Sequence, residues 1–348
     1  MTEAIVTSRP LPLLEGGDSG KTAAAQGGND QGQAIALQGA EQLNLSPTQG
    51  DPYLLAEQLL SQNHGLLPSE ADSYSRVFSP SISLSAEDIQ DESRQLHRDL
   101  QKSSDLYNKA NANSAAVARA ASVAGYEGAP PHIEALGNMI STIHGDYQKT
   151  YSEINQKAAE FMRDVNTALG KISDFIGAGT DGRITFRVPE FLRGMAEALS
   201  KYTGSKPNSQ DDFRNWSPDK NLVKPIHTFS GDDTALTFWQ KKLGDGFTVR
   251  RDPNNNKNIE ILPNLNPIKQ IYSSVAHAYV GWNPGAEITS QSFQTLQSSL
   301  DSQKNGVNSS VSQLLERFRQ DNSTFETLIQ LLTKMTEDLH RYNAGYLQ

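Results

Sequence analysis

Cysteine is absent from the 348 residues, which excludes disulfides, thiolate metal sites and cysteine nucleophiles in one step. Clustered Lys and Arg are lacking too. There are 31 basic residues against 40 acidic ones and a formal net charge of -9, so neither a nucleic-acid surface nor an anionic-membrane surface is expected, because both need concentrated positive charge. No apolar run reaches the roughly 18 residues of a membrane span, so stable membrane insertion by the chain alone is not expected. With 36% hydrophobic residues and a mean hydropathy of -0.55, much of the chain must be solvated helix surface or unfolded segment rather than one large core.

Recognisable catalytic chemistry is also missing. His64, His97, His132, His144, His227, His277 and His340 are scattered, without an HExxH pair or other metal spacing. No GxSxG elbow occurs. The run Gly177-Ala-Gly-Thr-Asp-Gly182 spells GxGxxG, but it follows a helical pattern and precedes a strand-like one. A phosphate cradle needs the reverse order, so the run reads as a helix C-cap with a tight turn. The loop at Asp252 has Asn254 and Asn256 at EF-hand positions three and five, yet Lys257 replaces the required Gly and Pro263 the required Glu. No enzyme, cofactor or metal is expected.

Residues 1–52 contain no aromatic side chain and are rich in Gly, Gln, Ala and Ser, so this segment is expected to be disordered. Its start lacks the charged and long apolar regions of a cleavable secretory signal. Either a floppy tail on a cytosolic protein or an uncleaved export signal fits that composition.

What the sequence does have is helical periodicity. From residue 287 to the end, the apolar positions Phe293, Leu296, Leu300, Val307, Val311, Leu314, Phe318, Phe325, Leu328, Leu332, Met335, Leu339 and Tyr342 recur in steps of three and four. Gln303 and Asp321 fill two further positions of the seam. This spacing keeps one narrow stripe on one face of a helix about 90 Å long. Such a stripe needs a partner. Residues 132–176 supply one, with Ile133, Leu136, Ile140, Ile143, Tyr147, Tyr151, Ile154, Ala158, Phe161, Val165, Leu169, Ile172 and Ile176 at the same spacing. Because everything between the two segments leaves and returns at one end, they should form an intramolecular antiparallel coiled coil, with Ile176 near Phe293. Both seams carry extra steps of four, Tyr147 to Tyr151 and Val165 to Leu169 in one and Gln303 to Val307 to Val311 in the other, which depart from a strict heptad.

The remaining segments are organised around that pair. Residues 53–131 read as a helical hairpin, one helix within Pro52–Leu67 carried by Leu54, Leu55, Leu59 and Leu60 and ended by Gly65 and Pro68, and another from Ser85 into the alanine-rich run 110–124. It is expected to cover the surplus of the longer last helix near Leu339. Residues 177–286 read as a small mixed domain. A strand over Arg183–Val188 is followed by a helix after Pro189, a loop over Thr203–Pro225, a helix over Asp232–Leu243, a hairpin pairing Phe247–Arg250 with Ile259–Leu262, and a helix over Pro267–Val280. The expected fold class is mainly α with a small α+β insertion: the long coiled coil, the N-terminal hairpin and the mixed domain between the long helices.

This arrangement, with Asn322-Ser-Thr-Phe-Glu-Thr-Leu-Ile-Gln-Leu-Leu-Thr333 and the stretch Ile140–Phe175 leading into the Gly-Thr-Asp-Gly turn, resembles the needle-tip proteins of type III secretion systems, the invasion-type IpaD, SipD and BipD group. The resemblance covers roughly residues 85–348; residues 1–50 share only polarity, and the Thr203–Pro225 loop has no match. It implies export through the secretion needle from the cytoplasm and a place at the needle tip as a small ring, a pentamer. It further implies restraint of secretion until a host cell is sensed, and support for insertion of the hydrophobic translocator proteins. The hairpin would act as a self-chaperone for the coiled coil. Some enteric members bind bile salts, and no residue pattern here decides that for this chain. For contact with the needle subunit, the resemblance points to Asn322, Phe325, Leu328, Leu332, Met335, Leu339 and Tyr342, with Ile133, Leu136 and Ile140 on the facing helix; the same residues could instead serve only to hold the coil together. Two other readings stay open, a cytosolic coiled-coil scaffold and an exported filament or cap component of another system.

Overall fold

The computed structural model describes residues 51–62, 85–123, 131–278, 282–283 and 285–346. The expected disorder of residues 1–52 falls on residues outside the described ones except at its end, where it is corrected: Asp51 caps and Pro52 begins a helix, because the Asp51 carboxylate accepts from Tyr53 N. The helix stops at Gly65 and Pro68, the chain break at Gly125–Pro130 and the end of the insertion's last helix at Tyr279 and Val280 also lie outside the described residues.

Helix α9, Ser290–Tyr346, runs unbroken. Its partner is built in three pieces: α3, Pro131–Thr142, a π-helical turn at Ile143–Gln148, and α4, Lys149–Gly170. The π turn accounts for the extra four-residue step in this seam, since one inserted residue moves the next apolar side chain four positions on while keeping it on the same face. The pairing is antiparallel. Asn166 donates to Asn308 at 2.8 Å, Tyr151 packs on Phe318 with ring centroids 4.3 Å apart, and His144 stacks with Phe325 at 6.1 Å. The coil helix is shorter than the 132–176 expected: α4 stops at Gly170, a 3-10 turn spans Lys171–Phe175, and Ile176 opens a short strand. Ile176 still comes to the Phe293 end, through Phe186, with which it pairs and whose ring meets Phe293 at 6.0 Å.

Along α9 the predicted seam is buried from Leu296 to Met335, except that Gln303 is half-buried. The buried face is wider than one seam, because Asn308, Leu315, Asn322, Ile329 and Thr336 are buried as well. These five recur at intervals of seven and lie one residue after the predicted stripe, as befits a helix with more than one neighbour.

The other neighbours are N-terminal. Helix α1, Pro52–Gln62, and helix α2, Ala86–Val123, both pack on α9. Ser85 caps α2 with a reciprocal box, its hydroxyl accepting from Asp88 N at 3.1 Å while the Asp88 carboxylate accepts from Ser85 N at 3.0 Å. Helix α2 lies parallel to α9, with Glu92 at Arg319 and Ser103 at Glu326. It is antiparallel to the other strand of the coil, with His97 at Ser152 and Ser104 at His144. The cover therefore starts higher than the surplus near Leu339, where the unequal helix lengths had placed it: α2 makes a third helix beside the paired region itself.

The insertion is tied off where the two long helices end. Strands β1, Ile176–Ala178, β2, Ile184–Phe186, and β6, Glu287–Ile288, form a small antiparallel sheet in the order β1-β2-β6. It holds the outgoing and returning chains side by side. The GxGxxG run falls on β1 and the hairpin turn to β2, so the expected helix C-cap is corrected: the glycines serve a turn in which Asp181 and Gly182 have φ of 50° and 72°. Glu287 clamps that turn by accepting from Thr180 N at 2.8 Å and from its hydroxyl at 2.7 Å, and these bonds hold its carboxyl below the usual range.

Beyond this tie come α5, Val188–Thr203, and α6, Gln210–Arg214, a short helix with a Ser209–Asp212 capping box inside the stretch read as loop. That stretch closes back on α5. A Cβ at Gly204 (φ 66°) would sit 1.8 Å from the Leu222 carbonyl oxygen, so only glycine fits there. Strands β3, His227–Ser230, β4, Phe247–Arg251, and β5, Asn258–Pro263, make the second sheet with β5 central. The Asp252 loop is the β4–β5 turn, its carboxylate accepting from Asn254 N at 2.8 Å. Helices α7, Asp233–Leu243, and α8, Asn266–His277, complete the domain. It is fastened to the coil through Trp239, which meets Tyr151 at 5.3 Å, and through Tyr202, which donates to Asp164 at 2.6 Å.

Candidate functional site: the distal half of the coiled coil

Away from the insertion, α3, α9 and α2 meet. Ile133, Leu136, Ile140, Asn322, Phe325, Leu328, Leu332 and Met335 are all buried there, and Leu339 is partly buried against the same core. The structure thus brings nine of the ten residues predicted for needle contact into one cluster; Tyr342 lies on α9, but its side chain is outside the described residues. As the chain is folded here the nine are turned away from solvent, and the solvent-facing groups of this end are neighbours such as Glu337 and Arg341.

Polar contacts fix α2 to this half. The Ser103 hydroxyl lies within hydrogen-bond distance of both the Asp99 carbonyl and the Glu326 carboxylate and shares its one proton between them, and Glu326 also accepts from Asn322 Nδ2 at 3.0 Å. His144 stacks with Tyr107 of α2 at 4.2 Å and hydrogen-bonds Ser104 through Nε2 at 3.1 Å. Partial burial lowers its pKa from the ordinary histidine value, because desolvation disfavours the imidazolium. Sequence spacing could not show Ser103 or His144 as contacts, since each is joined to a partner that lies 40 or more positions away.

Higher on the same face, Leu96, Leu100 and Phe318 floor a cavity of about 290 Å³ edged by Arg94, His97, Arg98, Ser152 and Asn155. Asn155 is 3% exposed, and neither its amide nitrogen nor its oxygen has a hydrogen-bond partner. Among the described residues no group of acidic or histidine side chains is placed to hold a metal ion, and no helix is long and apolar enough to cross a membrane.

Asp321 is buried at 4% exposure. Lys242, from the last turn of α7, reaches both of its oxygens at 2.9 and 2.8 Å and the Asp51 carboxylate beside α1 at 3.2 Å. A polar residue in the seam is thus matched by an ammonium from the inserted domain, a pairing that no local pattern announces.

Comparison with known proteins gives this architecture a family. No curated protein sequence matches the chain. Among solved structures, BipD of Burkholderia pseudomallei is similar at 14% identity and a TM-score of 0.52, over 83% of this chain and 96% of that one. A near-atomic-resolution structure of BipD is similar at 15% identity and a TM-score of 0.52, over 84% and 99%. A third, described as BipD, an invasion protein associated with the type III secretion system of that organism, reaches a TM-score of 0.53 at 14% identity, over 89% and 98%. At such identities these likenesses speak for the fold alone. The family model for type III secretion systems tip complex components matches residues 73–337, well over half of the sequence, and the chain belongs to that family.

Proposed function

We propose that this tip protein caps the secretion needle as a ring of its own copies, restrains secretion until contact with a host cell, and then supports insertion of the hydrophobic translocators. The observation that carries the reading is the cover: the distal half of the coil is occupied by the chain's own α2, held by Ser103–Glu326 and Tyr107–His144. A helix seated there acts as a self-chaperone, and the needle subunit meets this end through its exposed groups or after α2 moves. Charge reversal at Glu337 and Arg341, both exposed, tests the contact. Such surface changes should alter stability by no more than about 0.5 kcal/mol. The expected result is loss of co-sedimentation with assembled needles at an unchanged melting temperature. A lowered melting temperature with binding intact would assign these residues to the coil alone.

A second reading is favoured by the cavity under α2. Its apolar floor, its Arg94 and Arg98 edge and the unpartnered Asn155 amide suit an amphipathic anion such as a bile salt. Asn155→Leu removes two unsatisfied buried atoms and should be neutral or stabilising by about 1 kcal/mol. It should also abolish saturable heat of binding of taurodeoxycholate in calorimetry. Equal binding by wild type and variant removes this site from consideration.

A further inference from the structure

Helix α1 has 11 residues, too few to persist in water by propensity. It is held by what it touches. Tyr53, Ala56 and Leu59 are buried, and the Tyr53 ring lies 6.4 Å from Tyr147. Asp51 serves both sides of the contact. Its Oδ1 accepts from Tyr53 N at 2.9 Å, capping the helix, and its Oδ2 lies 3.2 Å from Lys242 Nζ. The Lys242 ammonium is also 5.0 Å from the Tyr53 ring centre and 5.9 Å from that of Phe238. Seating α1 therefore assembles two carboxylates around one ammonium in a place where Lys242 and Asp321 are both largely removed from water. The hydroxyls of Tyr53 and Tyr151 are buried nearby without partners.

We propose that Asp51, Lys242 and Asp321 form a proton-coupled latch between α1, the inserted domain and the coiled coil: α1 is seated most firmly with a proton on Asp321 and is released as that proton leaves. The charge count at the contact motivates it. With Asp51 and Asp321 both ionised the cluster carries one negative charge more than Lys242 can neutralise, and a proton on Asp321 removes the excess where water cannot. Among the described residues, the charged and titratable groups about Asp321 are Asp51, which caps α1, Tyr53 and Glu57 of α1, Tyr151 from α4 and Lys242 from α7, with Arg317 of its own helix acting on Tyr151 and donating to the Lys242 carbonyl at 2.9 Å. Burial is the main cause that pushes the Asp321 pKa up to about 7, with Lys242 opposing and Asp51 and Glu57 adding to the rise. Departure of α1 takes Asp51 and Glu57 away and admits water, so the pKa falls in the released state. The seated state therefore binds more protons, seating is strongest in acid, and it weakens as pH rises toward about 7, by up to about tenfold per pH unit for one proton. The latch concerns the chain's own first helix and stands apart from the reading of the needle contact.

Because the chain has no cysteine, one introduced thiol gives a clean probe. Ala56→Cys places it at a fully buried position and Leu54→Cys at one that is 57% exposed. The ratio of their alkylation rates in the full-length protein reports release of α1 with the intrinsic pH dependence of a thiol divided out. The ratio is expected to rise at least tenfold between pH about 5.5 and about 8. Asp321→Asn keeps an acceptor for Lys242 without the charge, and it should hold the ratio low and flat across that range. Lys242→Met should raise the ratio at every pH. A flat wild-type ratio, or a slope that survives in Asp321→Asn, overturns the proposal. Hydrogen exchange over residues 52–62 in the cysteine-free protein repeats the test if Ala56→Cys itself loosens the helix.

Discussion

Replacing Trp239 with alanine is expected to cost about 3–5 kcal/mol, the usual range for emptying a large aromatic from a core. Trp239 is 1% exposed and belongs to two structures at once. It lies in α7 of the inserted domain and meets Phe238 at 4.9 Å and Phe229 of β3 at 5.7 Å. On the other side it meets Tyr151 at 5.3 Å and Tyr147 at 6.3 Å on the coil. Little can collapse into the space it would leave, because the site is walled by rings of α7, β3 and the coil that are already packed on other neighbours. The loss should therefore appear as a lower urea midpoint and also as faster amide exchange in α7 and β3, with the paired centre of the coil at Ile154–Val165 less affected. Trp239→Phe should recover a large part of the stability by refilling the site. A cost below about 1 kcal/mol in Trp239→Ala would mean that the inserted domain is not fastened here.

The parts of the fold legible in the sequence are those that periodicity writes. The seams of α9 and of α3–α4 could be paired antiparallel, as in the packing of Tyr151 on Phe318, because a helix repeats its buried face every three or four residues regardless of what lies opposite. The strands at Phe247–Arg251 and Asn258–Pro263 flank a polar turn rich in Asn, and they pair. Three things escaped for physical reasons. Strands β1, β3 and β6 have 3, 4 and 2 residues, too few to show a period. The second stripe of α9 contains Asn308, Asn322 and Thr336, polar residues that count as surface in any hydrophobic pattern, although they are buried: Asn308 accepts from Asn166, and Asn322 donates to Glu326 through Nδ2 while its Oδ1 has no partner. The ionic cluster is invisible because Asp51, Lys242 and Asp321 are brought together only by the tertiary fold. The distal residues expected at the needle were visible as an apolar stripe, but a stripe does not say whether it is covered, and α2 covers it.

Phe325→Ala separates those two roles. Phe325 is fully buried, and its ring stacks with His144, which in turn stacks with Tyr107, so one truncation touches α9, the π turn and α2 together. The expected loss is about 3–5 kcal/mol, with amide exchange rising most around Tyr107, where α2 depends on that stack. A second readout follows from electrostatics. Desolvation holds the His144 pKa below its ordinary value of 6.5, so opening the space beside it readmits water, and the imidazole should titrate at a higher pH in the variant. A histidine of lowered pKa charges on acidification at a cost to the native state, and the stability it withholds is recovered as pH rises through its unperturbed value; Phe325→Ala should therefore flatten the acid limb of stability attributable to His144 while lowering the whole curve. If Phe325 serves instead as a free contact for the needle, the variant keeps its urea midpoint and its His144 titration and loses only needle binding. Full burial of the ring and its place in the stack argue for the first outcome. Contact through Phe325 would then require the coil to open, and the energy of opening would have to come from the needle.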